Sequence, residues 1–144
     1  MARRLILDTA MLIAYERDTV DRSALDTDDL AIAAVTVAEL RTGIELAATA
    51  ARAADRARVL AAITSAVTVL DYTERTAAEH ARLIAHVRRA GVPRRAHDLI
   101  IAAHAVEHGR AVATLDVRAR FGDLPGVGTV TVPLRAAGAL PSGS

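Results

Sequence analysis

Short apolar runs alternate with longer segments of mixed polarity along this chain, and the alternation predicts strands that are followed by helices. An order of this kind predicts an α/β fold with a five-stranded, mostly parallel sheet flanked by helices. The predicted strands are Leu5–Leu7, Leu30–Val35, Val67–Leu70, Ala111–Thr114 and Val127–Val132. The predicted helices are Ala10–Glu16, Val37–Ala48, Ala51–Ser65, a long helix from Thr73 to Ala90, Ala96–His108 and Val117–Phe121.

Local signals support several of these helices. Thr36 is predicted to cap the helix that starts at Val37, with Glu39 at the third helical position as in a capping box. Thr73 is predicted to cap the long helix. The helix Ala96–His108 has almost no polar face, so we expect neighbouring elements to bury it on most sides.

The length of 144 residues fits one domain. We assign residues 1–133 to this domain and expect the small, Pro-, Gly- and Ser-containing segment 134–144 to be a mobile tail. The first apolar run is too short for a signal peptide, and no run approaches the roughly 20 residues that a membrane span requires. The sequence therefore predicts a cytoplasmic protein that does not enter membranes.

Composition narrows the possible chemistry. The chain has no cysteine, which excludes disulfides, thiolate zinc sites and cysteine nucleophiles. All 18 basic residues are arginine, so mechanisms that need a lysine are excluded as well. The formal net charge of +1 provides no general attraction for nucleic acid. A local cluster, Arg94 and Arg95 with Arg88 and Arg89 nearby, is either a solvated surface or, beside a metal site, a contact for a phosphate backbone.

Four acidic residues stand among apolar neighbours at the ends of predicted elements. Asp8 ends the first strand, and Glu39 lies in the first turn of the helix after the second strand. Asp98 opens the buried helix, and Asp116 follows the fourth strand. The ends of parallel strands and the starts of the following helices share one rim of the sheet, where the four carboxylates can converge. Each acid also has a purely structural explanation, as a helix cap or as a favourable charge at a helix N-terminus.

Convergence of these acids would favour a metal ion. Carboxylates that share a partly buried site repel one another, and a divalent cation removes that repulsion. Oxygen ligands without cysteine favour Mg²⁺ or Mn²⁺. Among the histidines, His104 and His108 have the i, i+4 spacing of a zinc pair, but a third ligand is missing from the sequence pattern. A surface or core role is the preferred interpretation of the histidines.

The motifs around the four acids resemble those of the PIN domain, in particular the VapC-type toxins of bacterial toxin–antitoxin pairs. The resemblance rests on LILDT at residues 5–9, TVAELRTG at 36–43, AHDLIIAA at 96–103 and TLD at 114–116. It covers about Leu5 to Val132, and the order and spacing of the motifs make it specific. One departure is Ala10, which stands where many relatives have Asn or Ser after the Asp-Thr pair.

This resemblance implies a single PIN-like domain that cleaves transfer or ribosomal RNA with Mg²⁺ or Mn²⁺. It implies a cognate VapB-type antitoxin as partner and a homodimer, whose interface we would place on the helices around 10–14 and 37–48. The implied catalytic residues are Asp8, Glu39, Asp98 and Asp116, and the implied metal ligands are Asp8, Asp98 and Asp116. The implied supporting residues are Thr9 and Thr114, and the candidate RNA contacts are Arg94 and Arg95.

Two other enzyme classes and two other roles of a PIN domain are alternatives to this interpretation. A response-regulator receiver and a haloacid-dehalogenase-type phosphatase each need a lysine, which the chain lacks. The phosphatase would also need Asp where Ala10 stands. A PIN domain that only binds would be expected to have lost one of the four acids. A PIN nuclease that processes RNA outside toxin–antitoxin pairs stays open, although the short chain favours the toxin.

Overall fold

Strands and helices alternate along the described part of the chain. The structure is a computed structural model that describes residues 2–115 and 119–135. The strands are β1 (Arg4–Leu7), β2 (Asp29–Ala33), β3 (Thr68–Leu70), β4 (Ala111–Ala113) and β5 (Thr129–Val130). The helices are α1 (Thr9–Glu16), α2 (Ala34–Glu45), α3 (Ala50–Ala66), α4 (Glu74–Ala90) and α5 (Ala96–His108). Short 3-10 turns lie at Arg22–Leu25 and Phe121–Asp123.

The five strands form one sheet in the order β3-β2-β1-β4-β5, and every neighbouring pair is parallel. This confirms the predicted α/β fold with its five-stranded parallel sheet. The chain moves outward from β1 to β2 and β3, then returns to place β4 on the other side of β1. Ligands of open α/β sheets bind in the crevice at such a reversal, outside the carboxyl ends of the strands. Here that crevice lies beyond β1 and β4.

Both faces of the sheet are covered, as continuous apolar strands require. Leu5 and Leu7 belong to a buried cluster that includes Met11 and Leu12 of α1. Ile6, between them, belongs to the opposite cluster with residues of α5 such as Ile101. Because successive side chains of a strand point to opposite faces, β1 anchors both layers. Its carboxyl end is therefore held in the middle of the molecule.

Several predicted helix ends are confirmed. Thr73 and Thr76 form a capping box at the start of α4, in which the Thr73 backbone N donates to Thr76 Oγ1 at 3.0 Å. Gly109 ends α5 in the left-handed conformation, with φ of 61°. The middle of α5 is buried, as its apolar pattern predicts; the buried positions are Leu99 and Ile101 to Ala105.

The predicted boundary between β2 and α2 is wrong. The strand ends at Ala33, and Ala34 and Val35 already belong to α2. The N-cap residue is Ala33, whose side chain makes no cap hydrogen bond, so Thr36 does not cap this helix. Alanine fits a strand end and a helix start equally well, which is why the run 30–35 looked like one strand. Glu39 consequently lies in the second turn of α2 and takes no part in a capping box.

The last strand is shorter than predicted: β5 covers only Thr129–Val130, whereas the predicted strand was Val127–Val132. Beyond it, Leu134 forms an antiparallel bridge with Val20, and the Arg135 backbone N donates to Thr19 O at 3.0 Å. Residues 136–144 of the predicted tail and the first two residues of the predicted helix Val117–Phe121 lie outside the described residues. In the described part of the chain, no helix is both long enough and apolar enough to cross a membrane.

Candidate active site

Asp8 lies at the carboxyl end of β1 and is 5% exposed. Its Oδ1 accepts a hydrogen bond from the Met11 backbone N at 2.8 Å, which caps α1. Its Oδ2 accepts a hydrogen bond from Thr114 Oγ1. Thr114 directly follows β4, so this bond joins the ends of the two strands between which the strand order reverses. Asp8 is thus the helix cap that its position suggested and, at the same time, a carboxylate fixed at the crevice.

Glu39 lies on the same rim and is held from two sides. Thr9 Oγ1 donates to Glu39 Oε1 at 3.0 Å, and His97 Nδ1 lies 3.1 Å from the same oxygen. These contacts connect α2 to the start of α1 and to the first turn of α5. Both use Oε1, and within the described residues Oε2 accepts no hydrogen bond. The free oxygen of a half-buried carboxylate with a fixed orientation is available to water or a cation.

Asp98 follows His97 in the first turn of α5 and is half-buried. The contact between His97 and Glu39 places this helix end beside α2, on the rim that carries Asp8. Asp116, the fourth predicted site residue, lies outside the described residues. The structure therefore brings Asp8, Glu39 and Asp98 to one rim.

The spacing of the three described carboxylates bears on what they can hold. They do not form a group in which one oxygen from each lies within 4.8 Å of the others. Mg²⁺ is usually bound through one or two carboxylates and keeps several waters. An open set of oxygen ligands on a rim, without sulfur, fits such a hydrated ion better than a closed protein cage.

A cleft of about 610 Å³ adjoins this rim between α1, α2 and α3. Its polar lining includes Thr9 and Glu39 of the rim and two arginines, Arg17 and Arg56. Its apolar lining includes Leu12, Ile13, Leu40, Val59, Leu60 and Ile63. Gly43 also lines the cleft, and a Cβ atom at this position would come no closer than 3.9 Å to Arg56. The rim therefore faces a space large enough for part of a partner molecule.

The two candidate RNA contacts differ in what they do within the chain. Arg94 donates from Nη1 to the carbonyl oxygens of Ala119 and Arg120, the second at 2.8 Å, and so holds the segment after β4. Arg95 precedes α5 as its N-cap residue and is exposed. Much of the donor capacity of Arg94 is thus used internally, whereas Arg95 faces solvent.

Comparison with known proteins identifies the family. Residues 5–125 match the family model described as PIN domain. The chain belongs to the PIN domain family. The matched region includes β1, α2, α5 and β4, which carry the described part of the rim.

Two curated PIN relatives and one solved structure show the similarity along most of the chain. Ribonuclease VapC of Rickettsia bellii is 28% identical over 132 residues, which is 91% of this chain and 98% of the relative. Ribonuclease VapC5 of Mycobacterium tuberculosis is 37% identical over 111 residues, 77% of this chain and 82% of the relative. The crystal structure of VapBC-5, a member of the VapBC family of toxin–antitoxin systems from Mycobacterium tuberculosis, superposes with a TM-score of 0.72 at 30% identity. That match covers 90% of this chain and 98% of the other.

Sequence reasoning missed His97 as part of this PIN rim. A histidine next to Asp98 looked like any other residue of a helix start, because its partner Glu39 lies far away in the sequence. The signal that could have found His97 is its place directly before Asp98 in the first turn of a helix, because a residue there lies at the same rim. The arginines of the cleft were missed for the same reason, because α1 and α3 come together only in the fold.

Proposed function

We propose that this chain is a metal-dependent endoribonuclease that acts as the toxin of a toxin–antitoxin pair. The observation that carries the proposal is the pair of fixed carboxylates at the sheet reversal. Asp8 is held by Thr114 and the Met11 N–H, and Glu39 is held by Thr9 and His97. The relatives named Ribonuclease VapC support the reaction class, and the VapBC-5 complex supports the toxin role.

The residues of the rim fit a hard divalent cation, and PIN nucleases are typically metal-dependent. Asp8, Asp98 and Asp116 would hold Mg²⁺ or Mn²⁺ directly or through water. When bound, the ion supplies activation of a water molecule and offsets the charge of the phosphodiester. Glu39 would orient the attacking water or help to hold a second ion through Oε2, because Thr9 and His97 already contact Oε1.

Binding of the RNA backbone falls to exposed arginines near the rim. Arg95 is exposed at the start of α5, next to Asp98, and Arg17 lies in the adjoining cleft. Guanidinium groups bind phosphates without reading the base sequence. The low net charge of +1 makes this local placement necessary, because the chain as a whole does not attract nucleic acid.

The experiment is inducible expression in a bacterial host followed by sequencing of new RNA 5′ ends. We compare the wild type with Asp8→Asn and Glu39→Gln. The matched controls are Asp26→Asn, an exposed aspartate away from the rim, and Glu45→Gln, an exposed glutamate of α2. We expect discrete cuts from the wild type and both controls, and none from Asp8→Asn. Full cleavage by Asp8→Asn contradicts the proposal.

Purified protein then separates a nuclease from a domain that only binds. RNA from the source organism is incubated with the wild type and Mn²⁺, with and without a chelator. Cleavage that stops on chelation supports the metal-dependent reaction. Absence of cleavage in Mn²⁺, with RNA binding retained, supports the idle binding module instead.

The cleft beside Glu39 is the surface on which we place the antitoxin. Its apolar lining suits a short amphipathic segment, and an antitoxin arginine that reached the rim would pair with the carboxylates. The test is copurification with the product of a small reading frame directly upstream. Ile13→Asp, in the cleft, should weaken the complex, whereas Leu46→Asp, 78% exposed and outside the cleft lining, should not. Equal retention of the antitoxin by both variants contradicts this placement.

The homodimer is a further part of the proposal. The predicted dimer surface, on α1 and α2, overlaps the cleft lining at Ile13 and Leu40. Sedimentation of the chain alone and with the antitoxin decides whether two copies pair there. If the dimer uses the cleft, the Ile13→Asp variant should sediment as a monomer when the antitoxin is absent.

A further inference from the structure

A second cluster of ligand atoms lies at the other end of α5. His104, Glu107 and His108 each offer one atom, and these three atoms lie within 4.8 Å of one another. Glu107 Oε2 is 3.4 Å from His108 Nε2 and 3.9 Å from His104 Nδ1. The i, i+4 histidine spacing lacked a third ligand in the sequence pattern, and the structure supplies Glu107 from the intervening turn. In the described part of the chain, no other three Asp, Glu or His side chains meet this spacing.

His104 is a buried side chain with no hydrogen-bond partner. It is 0% exposed, and within the described residues neither Nδ1 nor Nε2 has a partner. Nearly all buried polar groups in native proteins have a hydrogen-bond partner, so an unsatisfied one calls for an explanation. A buried imidazole that has no hydrogen-bond partner among the described residues and lies beside a carboxylate is therefore available to a ligand.

Glu107 is held in place by residues of α4 and its cap. Thr76 Oγ1 donates to Glu107 Oε2 at 2.6 Å, and Thr73 Oγ1 donates to Oε1 at 3.3 Å. Hydrogen bonds of this kind orient a ligating carboxylate and are part of most protein metal sites. The Glu107 side chain is 9% exposed and that of His108 is 33% exposed, so an ion can enter from the His108 side.

We propose that His104, Glu107 and His108 bind one transition-metal ion of the Zn²⁺ class. Two imidazoles and one carboxylate suit Zn²⁺, Ni²⁺ or Co²⁺, whereas Mg²⁺ prefers oxygen ligands alone. The imidazole planes of His104 and His108 are within 13° of parallel, and one nitrogen of each ring already lies within 4.8 Å of the other. The site is distinct from the rim, because Glu107 is nine residues after Asp98, about 13 Å along the helix.

The consequence is a metal-stabilised packing of α5 against α4. Glu107 accepts a hydrogen bond from Thr76 at the start of α4, and the rings of Tyr72 and His104 form a T-shaped pair with centroids 6.3 Å apart. An ion that binds only the folded chain raises the free energy of unfolding by RT ln(1 + c/Kd), where c is the ion concentration, so stability rises with c. The rim and its reaction are not needed for this effect.

The first test is a titration of tag-free protein with Co²⁺, in which visible absorption reports binding. The second is thermal unfolding with and without Zn²⁺. We compare the wild type with His108→Ala and Glu107→Gln. The matched control is His86→Ala, which removes an exposed histidine of α4. With excess Mg²⁺ present to occupy the proposed rim site, we expect one equivalent of Co²⁺ to bind the wild type and His86→Ala, and about tenfold or greater loss of affinity in His108→Ala. Because His108 is partly exposed, we expect this variant to fold, which circular dichroism checks.

Three results overturn the proposal. The first is that the folded wild type shows no saturable Co²⁺ binding. The second is that His108→Ala and Glu107→Gln bind Co²⁺ as tightly as the wild type. The third is that Asp8→Asn no longer binds Co²⁺. The last result would place the ion at the rim. Retained Co²⁺ binding in a cleavage-deficient Asp8→Asn variant supports the second site independently of the proposed nuclease function.

Discussion

Thr114 Oγ1 donates to Asp8 Oδ2 across the gap between the ends of β4 and β1. This bond connects the two strands between which the strand order reverses. Together with the Met11 N–H on Oδ1, it leaves the Asp8 carboxylate little freedom to rotate. Thr114 is therefore a positioning residue for the carboxylate on which the proposed reaction depends.

Replacement of Thr114 by valine should lower RNA cleavage with little loss of stability. Valine has the same shape but cannot donate, and loss of such supporting bonds typically costs about 10–100-fold in metal affinity or activity. Thr114→Ser keeps the hydroxyl and should restore most of the activity. The measurement is the cleavage rate as a function of Mn²⁺ concentration. Equal rates for the serine and valine variants would show that the hydroxyl does not position Asp8.

Thr36 gives a test of a corrected helix start. It is 0% exposed, and within the described residues its Oγ1 has no hydrogen-bond partner. Thr36→Val removes this unsatisfied hydroxyl and should raise the free energy of unfolding by about 1 kcal/mol. If Thr36 were a cap, the same change would lower the free energy by about 1 kcal/mol. Urea unfolding therefore distinguishes the two by the sign of the change.

The difference between sequence and structure at this helix has a general cause. Strands such as β1 were predictable because three apolar residues end at a carboxylate, and α5 because its apolar positions leave almost no polar face. The start of α2 was not, since Ala33 and Ala34 suit either conformation. Asp8 and Glu39 were predicted as site residues from their predicted positions at element ends, whereas His97 and Glu107 contact partners distant in sequence, Glu39 and Thr76. Such pairs depend on packing that no local pattern contains.

Arg110 connects the start of β4 to the other central strands. Its Nη1 donates to Leu5 O at 3.1 Å and to Asp29 O at 3.0 Å, and it lies 3.2 Å from Asp29 Oδ1. The Arg110 side chain is only 5% exposed. Arg110→Met should lower the free energy of unfolding by about 3 kcal/mol, because the carbonyls of Leu5 and Asp29, bonded to Arg110 in a buried and a part-buried contact, lose a charged donor. Arg89→Met, on the exposed side of α4, is the control and should change stability by less than about 0.5 kcal/mol in urea unfolding.

The pair Arg3 and Asp28 should make stability depend on acid pH. Arg3 Nε donates to Asp28 Oδ1 at 3.1 Å and Nη2 to Oδ2 at 2.7 Å, a two-pronged contact that joins the start of β1 to the loop before β2. These side-chain hydrogen bonds hold the pKa of Asp28 below its usual value. A carboxyl whose pKa is lowered by folding stabilises the native state above its unfolded pKa of about 3.9, and this contribution is lost as the pH falls through the lower native value.

Asp28→Asn should accordingly unfold at a lower urea concentration than the wild type at pH 7. The difference should shrink as the pH falls below about 4, because the wild-type carboxyl then becomes neutral as well. Asp26→Asn, two residues earlier and exposed, is the control and should follow the wild type at both pH values. A difference between Asp28→Asn and the wild type that stays constant down to pH 2 would mean that the contact stabilises through packing and not through the charge of Asp28.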